Sequence, residues 1–386
     1  MTGLRGILEA PVDAGTLPGA VALVARGDAV EVAAVGASDA RSGAPMARDT
    51  IFRIASLTKP ITAAAVMLLV EEGLLALDAP VTPWLPELAD RVVVRTPSGP
   101  VDDVVPALRP ITLSDLLTFR AGYGFPEDFS LPAVGLLFSE LLQGPPQPQR
   151  VAPPDAWIEG LSRIPLLYQP GEAWLYNTCS DILGVLIARV AGQPLARFLD
   201  ERVFAPLGMV DTGFAVPAAS LGRFTEQYRA AADGSGTWEL VDAREGQWSR
   251  EPAFPSAAGG LVSTVDDWYA FARMLLAGGA VAAGTGRLLS PESVRMMTTD
   301  WLTPAQRSGG DLFLEGQGWG FGGSVDVQVR DPWNVPGRYG WVGGTGTAAH
   351  LVPSTGAVSI LLTQLELGGP TPPPPMRAFW EYAANG

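Results

Sequence analysis

The sequence predicts an α+β fold: one sheet built from both ends of the chain, flanked by helices, with a mainly helical domain inserted between. Three observations carry this. Strand-like runs occur near the amino terminus, the middle of the chain reads as helix and loop, and strand signals return from Gly318 onward. Strand-rich ends most simply share one sheet. The expected division is residues 1–80 with 255–386 as the sheet-bearing domain and 81–254 as the helical one. A cleft between two such domains is a common place for an active site.

Each element has a local reason. Pro18 to Gly36 holds two Val/Ala-rich runs around Arg26-Gly27-Asp28, a turn signal, and reads as a hairpin. Phe52 to Ala55 lead into a turn at Ser56. Ile61 to Gly73 is a nearly all-apolar helix, and Pro60 suits its first turn, where a missing N–H costs nothing. A helix without a polar face is a buried one. Residues 76–110 are rich in Pro, Val and Asp and read as loops. Thr112 is a plausible N-cap for a short helix to Thr118. Helices are expected at Val134–Leu142, Trp157–Ile164, Asp181–Val190 and Leu195–Val203. Beyond residue 255, Asp266–Leu276 and a segment opened by Ser290-Pro291-Glu292 read as helices. Ser324–Val329, Ala348–Val352 and Val358–Thr363 read as strands, and Met376–Ala384 as a terminal helix.

Composition excludes several function classes. The net charge is −14 and the isoelectric point about 4.6, so phosphate backbones and anionic membrane surfaces are repelled. The one cysteine, Cys179, permits neither an internal disulfide nor a cysteine metal cluster. The one histidine, His350, excludes multi-histidine zinc sites and leaves a Ser-His-Asp triad a single candidate base. No metal or cofactor is expected. Met1 to Ala10 lacks a basic stretch followed by an apolar one, and no apolar run reaches the roughly 20 residues that span a bilayer. The expectation is a cytoplasmic protein without membrane or nucleic-acid partners; oligomeric state is not legible.

The chemistry centres on Ser56-Leu-Thr-Lys59. Lysine and arginine together number 26, and Lys59 is the only lysine, leaving 25 arginines. On a helix a spacing of three puts two side chains on one face, roughly 60° apart. A desolvated lysine can lose its proton near neutral pH, whereas an arginine cannot. The spacing alone also fits a serine N-cap. A second stretch, Trp174-Leu-Tyr176-Asn177-Thr178, puts a phenol just before an apolar helix; Tyr176 alone also fits a core aromatic. A third, Trp341-Val342-Gly343-Gly344-Thr345-Gly346, offers backbone N–H groups beside glycines, or simply a bulged or edge strand.

Together these stretches resemble the serine β-lactamase and penicillin-binding-protein-like hydrolases, closest in look to class C β-lactamases and family VIII carboxylesterases. Ser-x-x-Lys is that superfamily's first motif. Here it stands in Phe52-Arg-Ile-Ala-Ser-Leu-Thr-Lys-Pro. The resemblance extends through Ile111-Thr-Leu-Ser-Asp-Leu-Leu-Thr, Pro170-Gly-Glu-Ala-Trp-Leu-Tyr, Pro206-Leu-Gly-Met-Val-Asp-Thr-Gly-Phe, Ala258-Gly-Gly-Leu-Val-Ser-Thr-Val-Asp-Asp and Leu289-Ser-Pro-Glu-Ser-Val. It implies a β-lactamase/transpeptidase-like arrangement with an antiparallel sheet. It also implies roles: Ser56 as acylated nucleophile, Lys59 and Tyr176 as proton-handling partners, and the Ser56 and Gly344 amides as oxyanion hole.

Two departures from the family pattern matter. Thr178 stands where the second motif commonly has Asn, with Asn177 one place early, and Trp341-Val342-Gly343 replaces the Lys-Thr-Gly or His-x-Gly of β-lactamases. Neither Trp nor Thr supplies the cation that binds a penicillin carboxylate. The expectation is therefore a carboxylesterase acting on small or medium esters through an acyl-enzyme, with weak β-lactam hydrolysis as a side activity. An amidase or D-aminopeptidase, a β-lactamase and an acyltransferase are alternatives of the same fold; a penicillin-binding or sensor module without turnover is one of another class. Phe119, Arg120, Tyr123, Trp319 and Trp341, with Gly343, Asn177 and Thr178, are the candidate substrate-binding residues, while His350 and Cys179 read as structural.

Overall fold

The computed structural model describes residues 3–232, 236–281 and 286–385. Met1 and Thr2, where the reading of the amino terminus began, lie outside these. The central sheet has eight strands: β1 (Gly19–Arg26), β2 (Ala29–Asp39), β3 (Ala44–Pro45), β4 (Gly318–Trp319), β5 (Ser324–Val325), β6 (Tyr339–Gly343), β7 (Thr347–Val352) and β8 (Ala357–Thr363). Their order is β4-β5-β6-β7-β8-β1-β2-β3, antiparallel throughout. The strand near the amino terminus, β1, pairs directly with β8 near the carboxyl terminus, Leu23 facing Ile360. The two chain ends therefore do share one sheet.

Side chains alternate across that sheet, so each face meets different helices. On the outer face, Ala20, Ala22, Ala348 and Leu361 pack with α1 (Leu4–Asp13) and the terminal helix α5 (Pro374–Ala384). On the inner face, Val21, Leu23, Trp341, Ala349 and Ile360 join the main core, which includes α2 (Thr58–Glu71), α3 (Thr178–Ala191) and α4 (Val265–Leu276). Every residue of α2 from Thr58 to Leu69 is buried, as its lack of a polar face requires. Burying each large aliphatic chain there contributes about 1.5–3 kcal/mol, so a charge at Val66 or Leu69 would disrupt the helix seat. The helix ends at Glu71 with Glu72 as its cap, and Gly73 turns the chain at φ 71°.

Some elements were not legible in the sequence. Helix α1 carries Pro11 in its last turn, and its short run shows little pattern. The middle segment contains two small antiparallel ribbons, Val92–Val94 with Val104–Pro106 and Gln227–Ala230 with Trp238–Asp242. Strands this short offer no alternating run to read. The strand expected at Ser324–Val329 stops at Val325, because the Asp326 carboxylate accepts from Asn334 Nδ2 and the Val335 N–H and turns the chain away. Helix α3 starts at Thr178, three residues ahead of Asp181.

Candidate active site

Three segments far apart in sequence deliver the reactive groups. Ser56 sits in a single 3₁₀ turn, Ala55–Leu57, that runs straight into α2. The turn begins with Ala55 at φ 42°, a left-handed conformation unusual for a residue with a Cβ. One turn on, Lys59 is buried. Its Nζ lies 2.8 Å from Ser56 Oγ, 2.9 Å from Asn177 Oδ1 and 2.7 Å from the Ala258 carbonyl oxygen. Tyr176 precedes α3, and its hydroxyl lies 2.9 Å from Ser56 Oγ. From β6, Trp341 donates its indole N–H to the Tyr176 oxygen at 2.7 Å. The Tyr176–Asn177–Thr178 link is a tight turn with Asn177 at φ 82°, ψ −67°, and the Thr178 N–H donates to the Tyr176 carbonyl at 3.2 Å. This is the strained form of the γ-turn. It holds the phenol over Ser56 and the amide over Lys59 at the same time.

Hydrogen-bond accounting leaves a path for the Ser56 proton onto Lys59. The Asn177 oxygen and the Ala258 carbonyl are acceptors only. A neutral Lys59 amine gives both its hydrogens to them, which leaves its lone pair for the Ser56 hydroxyl. The amide orientation is anchored from behind. Asn177 Nδ2 and the Thr178 hydroxyl donate to Gln143 Oε1, and Gln143 Nε2 donates to Asp181. Asp181 also accepts from the Ser256 hydroxyl and the Ala258 N–H. On the other side, an indole nitrogen donates only, so the Tyr176 oxygen accepts from Trp341 and turns its own hydrogen toward Ser56.

Electrostatics agree with this polarity. Burial pushes the Lys59 ammonium down to about 7, with Asp181 opposing the shift. Burial pushes the Tyr176 phenol up to about 12, opposed by its bonds to Ser56 and Trp341. Near neutrality the amine is thus poised between forms while the phenol keeps its proton. Burial also raises Asp181, against the donors around it.

The cleft over Ser56 has a volume of about 300 Å³. Phe125, Phe129, Leu142, Phe254, Phe313 and Trp341 supply its apolar wall. Gly344 lines it too, and a Cβ there would point into open space. Neither the Ser56 nor the Gly344 N–H donates to a turn, loop or cap acceptor. Among the described lining residues there is no lysine or arginine; the charged ones are Asp181 and Glu366.

The structure brings Ser56, Lys59, Tyr176, Asn177, Trp341 and Gly344 together. Six other candidates lie behind the wall and are corrected here. Phe119 is fully buried against Trp174 and Trp319, and Trp319 in turn backs Trp341 edge-on at 4.8 Å. Tyr123 is buried with its hydroxyl on the Ile164 carbonyl. Thr178 is buried on Gln143. Gly343 is a glycine because its backbone abuts Ile54 and Thr347: a Cβ would come within 2.5 Å of the Ile54 oxygen. Arg120 likewise turns inward to the Thr118 hydroxyl. His350 is buried on the outer face, edge-on to Trp380, and Cys179 is a buried thiol pushed up to about 12 by burial. Sequence reasoning missed Gln143 and the role of Asp181. A lone carboxylate opening an otherwise apolar helix was the available signal for Asp181; Gln143 gave none.

A sheet closed by both chain ends, with a Ser-Lys-Tyr cluster at the start of a buried helix, defines a β-lactamase/transpeptidase-like fold. The Beta-lactamase family model matches residues 4–377, and the chain belongs to that family, within the β-lactamase and penicillin-binding-protein-like hydrolase superfamily. It is 40% identical over 379 residues to Protein Rv1367c of Mycobacterium tuberculosis (strain ATCC 25618 / H37Rv), spanning 94% of this chain and 90% of that protein. It is 35% identical over 335 residues to Esterase EstB of Burkholderia gladioli, spanning 82% and 76%. Among solved structures, "EstCE1, a hydrolase with promiscuous acyltransferase activity" superposes with a TM-score of 0.78 at 24% identity, over 99% of this chain and 97% of that one. No single helix among the described residues is long and apolar enough to cross a membrane.

Proposed function

We propose that the protein is a serine carboxylesterase that cleaves neutral, largely apolar esters through an acyl-enzyme on Ser56. The observation that carries this is one serine oxygen within 2.9 Å of both a lysine amine and a phenol, at the floor of a cleft lined by apolar residues and no cation. Ser56 Oγ attacks the ester carbonyl carbon while its proton passes to the Lys59 lone pair. The carbonyl electrons move onto oxygen, where the Ser56 and Gly344 N–H groups receive them. Collapse breaks the bond to the alcohol, which takes a proton from Tyr176, and the phenol is replenished from Lys59. Water then repeats the sequence on the acyl-enzyme and frees the acid.

The cleft argues against the alternatives that bind a carboxylate. β-Lactams and peptides ending in D-alanine both present one, and the apolar cleft offers no lysine or arginine to pair with it among its described lining residues. An acyltransferase reading has one point in favour: an apolar wall lets an alcohol compete with water for the acyl group.

The test is hydrolysis of nitrophenyl esters of graded chain length beside a chromogenic cephalosporin, for wild type, Ser56→Ala and Tyr176→Phe. Ester turnover should exceed cephalosporin turnover, vanish in Ser56→Ala and fall by about 10²–10⁴ in Tyr176→Phe. Ester turnover that survives Ser56→Ala would sink the mechanism, and faster cephalosporin turnover would overturn the esterase assignment. Adding methanol tests transfer: a methyl ester product at the expense of acid would add acyltransfer.

A further inference from the structure

The apolar cleft is not closed at its far side. Past Thr345 it adjoins a second, polar cavity of about 550 Å³, and Pro145, Pro146, Gln147, Thr345 and Glu366 line both. Gln149, Gln227 and Gln247 add amides to the polar chamber. Glu366 stands at the junction. Its carboxylate has no hydrogen-bond or ion-pair partner among the described residues, although the side chain is half-buried. The two cations that act on it are already paired, while Arg150 and Arg250 also line the polar chamber and make no ion pair among the described residues. Arg53 is held by Asp242 at 2.5 Å, and Arg229 by Glu239 at 2.7 Å. The other cleft carboxylate, Asp181, is fully engaged by Ser256, Gln143 and Ala258.

The position of Glu366 relative to the reacting centre is fixed by its backbone. The Glu366 N–H donates to the Tyr228 carbonyl, and the next residue, Leu367, donates its N–H to the Gly344 carbonyl at 2.8 Å. The residue bearing the free carboxylate is thus tied to the glycine expected to hold the oxyanion. A half-buried carboxylate without a partner is an incomplete site, because burial disfavours its charge until a cation or donor arrives. Burial indeed pushes Glu366 upward.

We infer that Glu366 selects substrates: it receives a cationic or hydroxyl-bearing end of an ester whose other end fills the apolar wall. This rests on the ester-cleaving reading and adds the substrate class. A quaternary or primary ammonium reaching Glu366 from the apolar cleft gains most, since it meets a free carboxylate and no lysine or arginine among that cleft's described lining residues. A polyol meets the same acceptor more weakly.

Two charged and neutral pairs of equal shape test it, in wild type and Glu366→Gln, at about pH 8, above the Lys59 midpoint. The first pair is butyrylcholine and 3,3-dimethylbutyl butyrate, with the charge on the alcohol. The second is ethyl 4-(trimethylammonio)butanoate and ethyl 5,5-dimethylhexanoate, with the charge on the acyl group. Glycerol monobutyrate against propyl butyrate reports the hydroxyl arm. In at least one charged pair, wild type should favour the cation by about tenfold in kcat/KM, through KM, and Glu366→Gln should remove that preference while the neutral ester changes less than about twofold. No charge preference in either pair, or a preference that survives Glu366→Gln, would overturn the inference. If no ester is turned over at all, the ester reading fails by itself. Calorimetric titration of choline then still reads Glu366: binding weakened about tenfold by Glu366→Gln supports the cation site, and equal binding overturns it.

Discussion

The sharpest consequence of the geometry is the acid limb of the pH profile. In the proposed mechanism the active form carries a neutral Lys59, whose two hydrogens go to Asn177 Oδ1 and the Ala258 carbonyl and whose lone pair faces Ser56. With the amine at about 7, the neutral fraction is about 0.1 at one unit below the midpoint and about 0.9 at one unit above. The ester kcat/KM should therefore rise about tenfold between about pH 6 and about pH 8, with unit slope further down. It should stay level until the phenol begins to lose its proton toward about 12. The assay is initial-rate hydrolysis of a short nitrophenyl ester from about pH 5 to about pH 10 at constant ionic strength, with the uncatalysed rate subtracted. A profile flat from about pH 5 to about pH 9, or a midpoint near the ordinary lysine value, would refute the neutral-amine base.

The same shift makes a stability statement. Lys59 has a lower proton affinity folded than unfolded, so between about 7 and 10.5 the unfolded chain binds the extra proton. Its contribution is fully present above the unfolded value and is lost as pH falls through about 7. Wild type should thus gain stability relative to Lys59→Met as pH rises across that window, by at most about 5 kcal/mol; denaturant unfolding at the two ends measures it, and a constant difference would contradict it. Removing the Asn177 acceptor as Asn177→Leu disfavours the ammonium and should move the kinetic midpoint below about 7, together with a lower plateau. Trp341→Phe keeps an aromatic but removes the 2.7 Å donor to Tyr176. The loss of about 1–3 kcal/mol should lower kcat by roughly 5- to 150-fold and leave the Lys59 limb in place. Arg53 is buried on Asp242 and lies 4.0 Å from the Phe224 ring, so Arg53→Met should cost about 3–5 kcal/mol in urea unfolding by stranding Asp242.

The helix that seats Lys59 was legible because an unbroken apolar run has one physical outcome, burial. Thr112, Thr264 and Ser290 cap their helices through their side chains, two of them with the acid three residues on that such starts favour. The candidate pocket residues fared differently. Aromatic residues near a motif gave no indication of depth: Trp341 faces the cleft while Trp319, packed against it, does not. Gly343 and Gly344 are neighbours with opposite reasons to be glycine, one pressed against Ile54, the other open to the cleft.

By itself the sequence pointed to the groups proposed to react. A solitary lysine three residues after a serine, a phenol before an apolar helix and a glycine pair heading a strand are chemical facts of residue type and local spacing. It also pointed to one shared sheet for the two chain ends, since strand signals cluster there. Tertiary structure alone decided how the groups are charged and what they face. The Lys59 amine is driven toward neutrality by burial, against Asp181 and two carbonyl acceptors from residues 118 and 199 positions away. The apolar wall of the cleft and the free Glu366 carboxylate beside it come from segments spread from Phe125 to Leu367. Burial and long-range pairing are properties of the packed chain, and no local pattern encodes them.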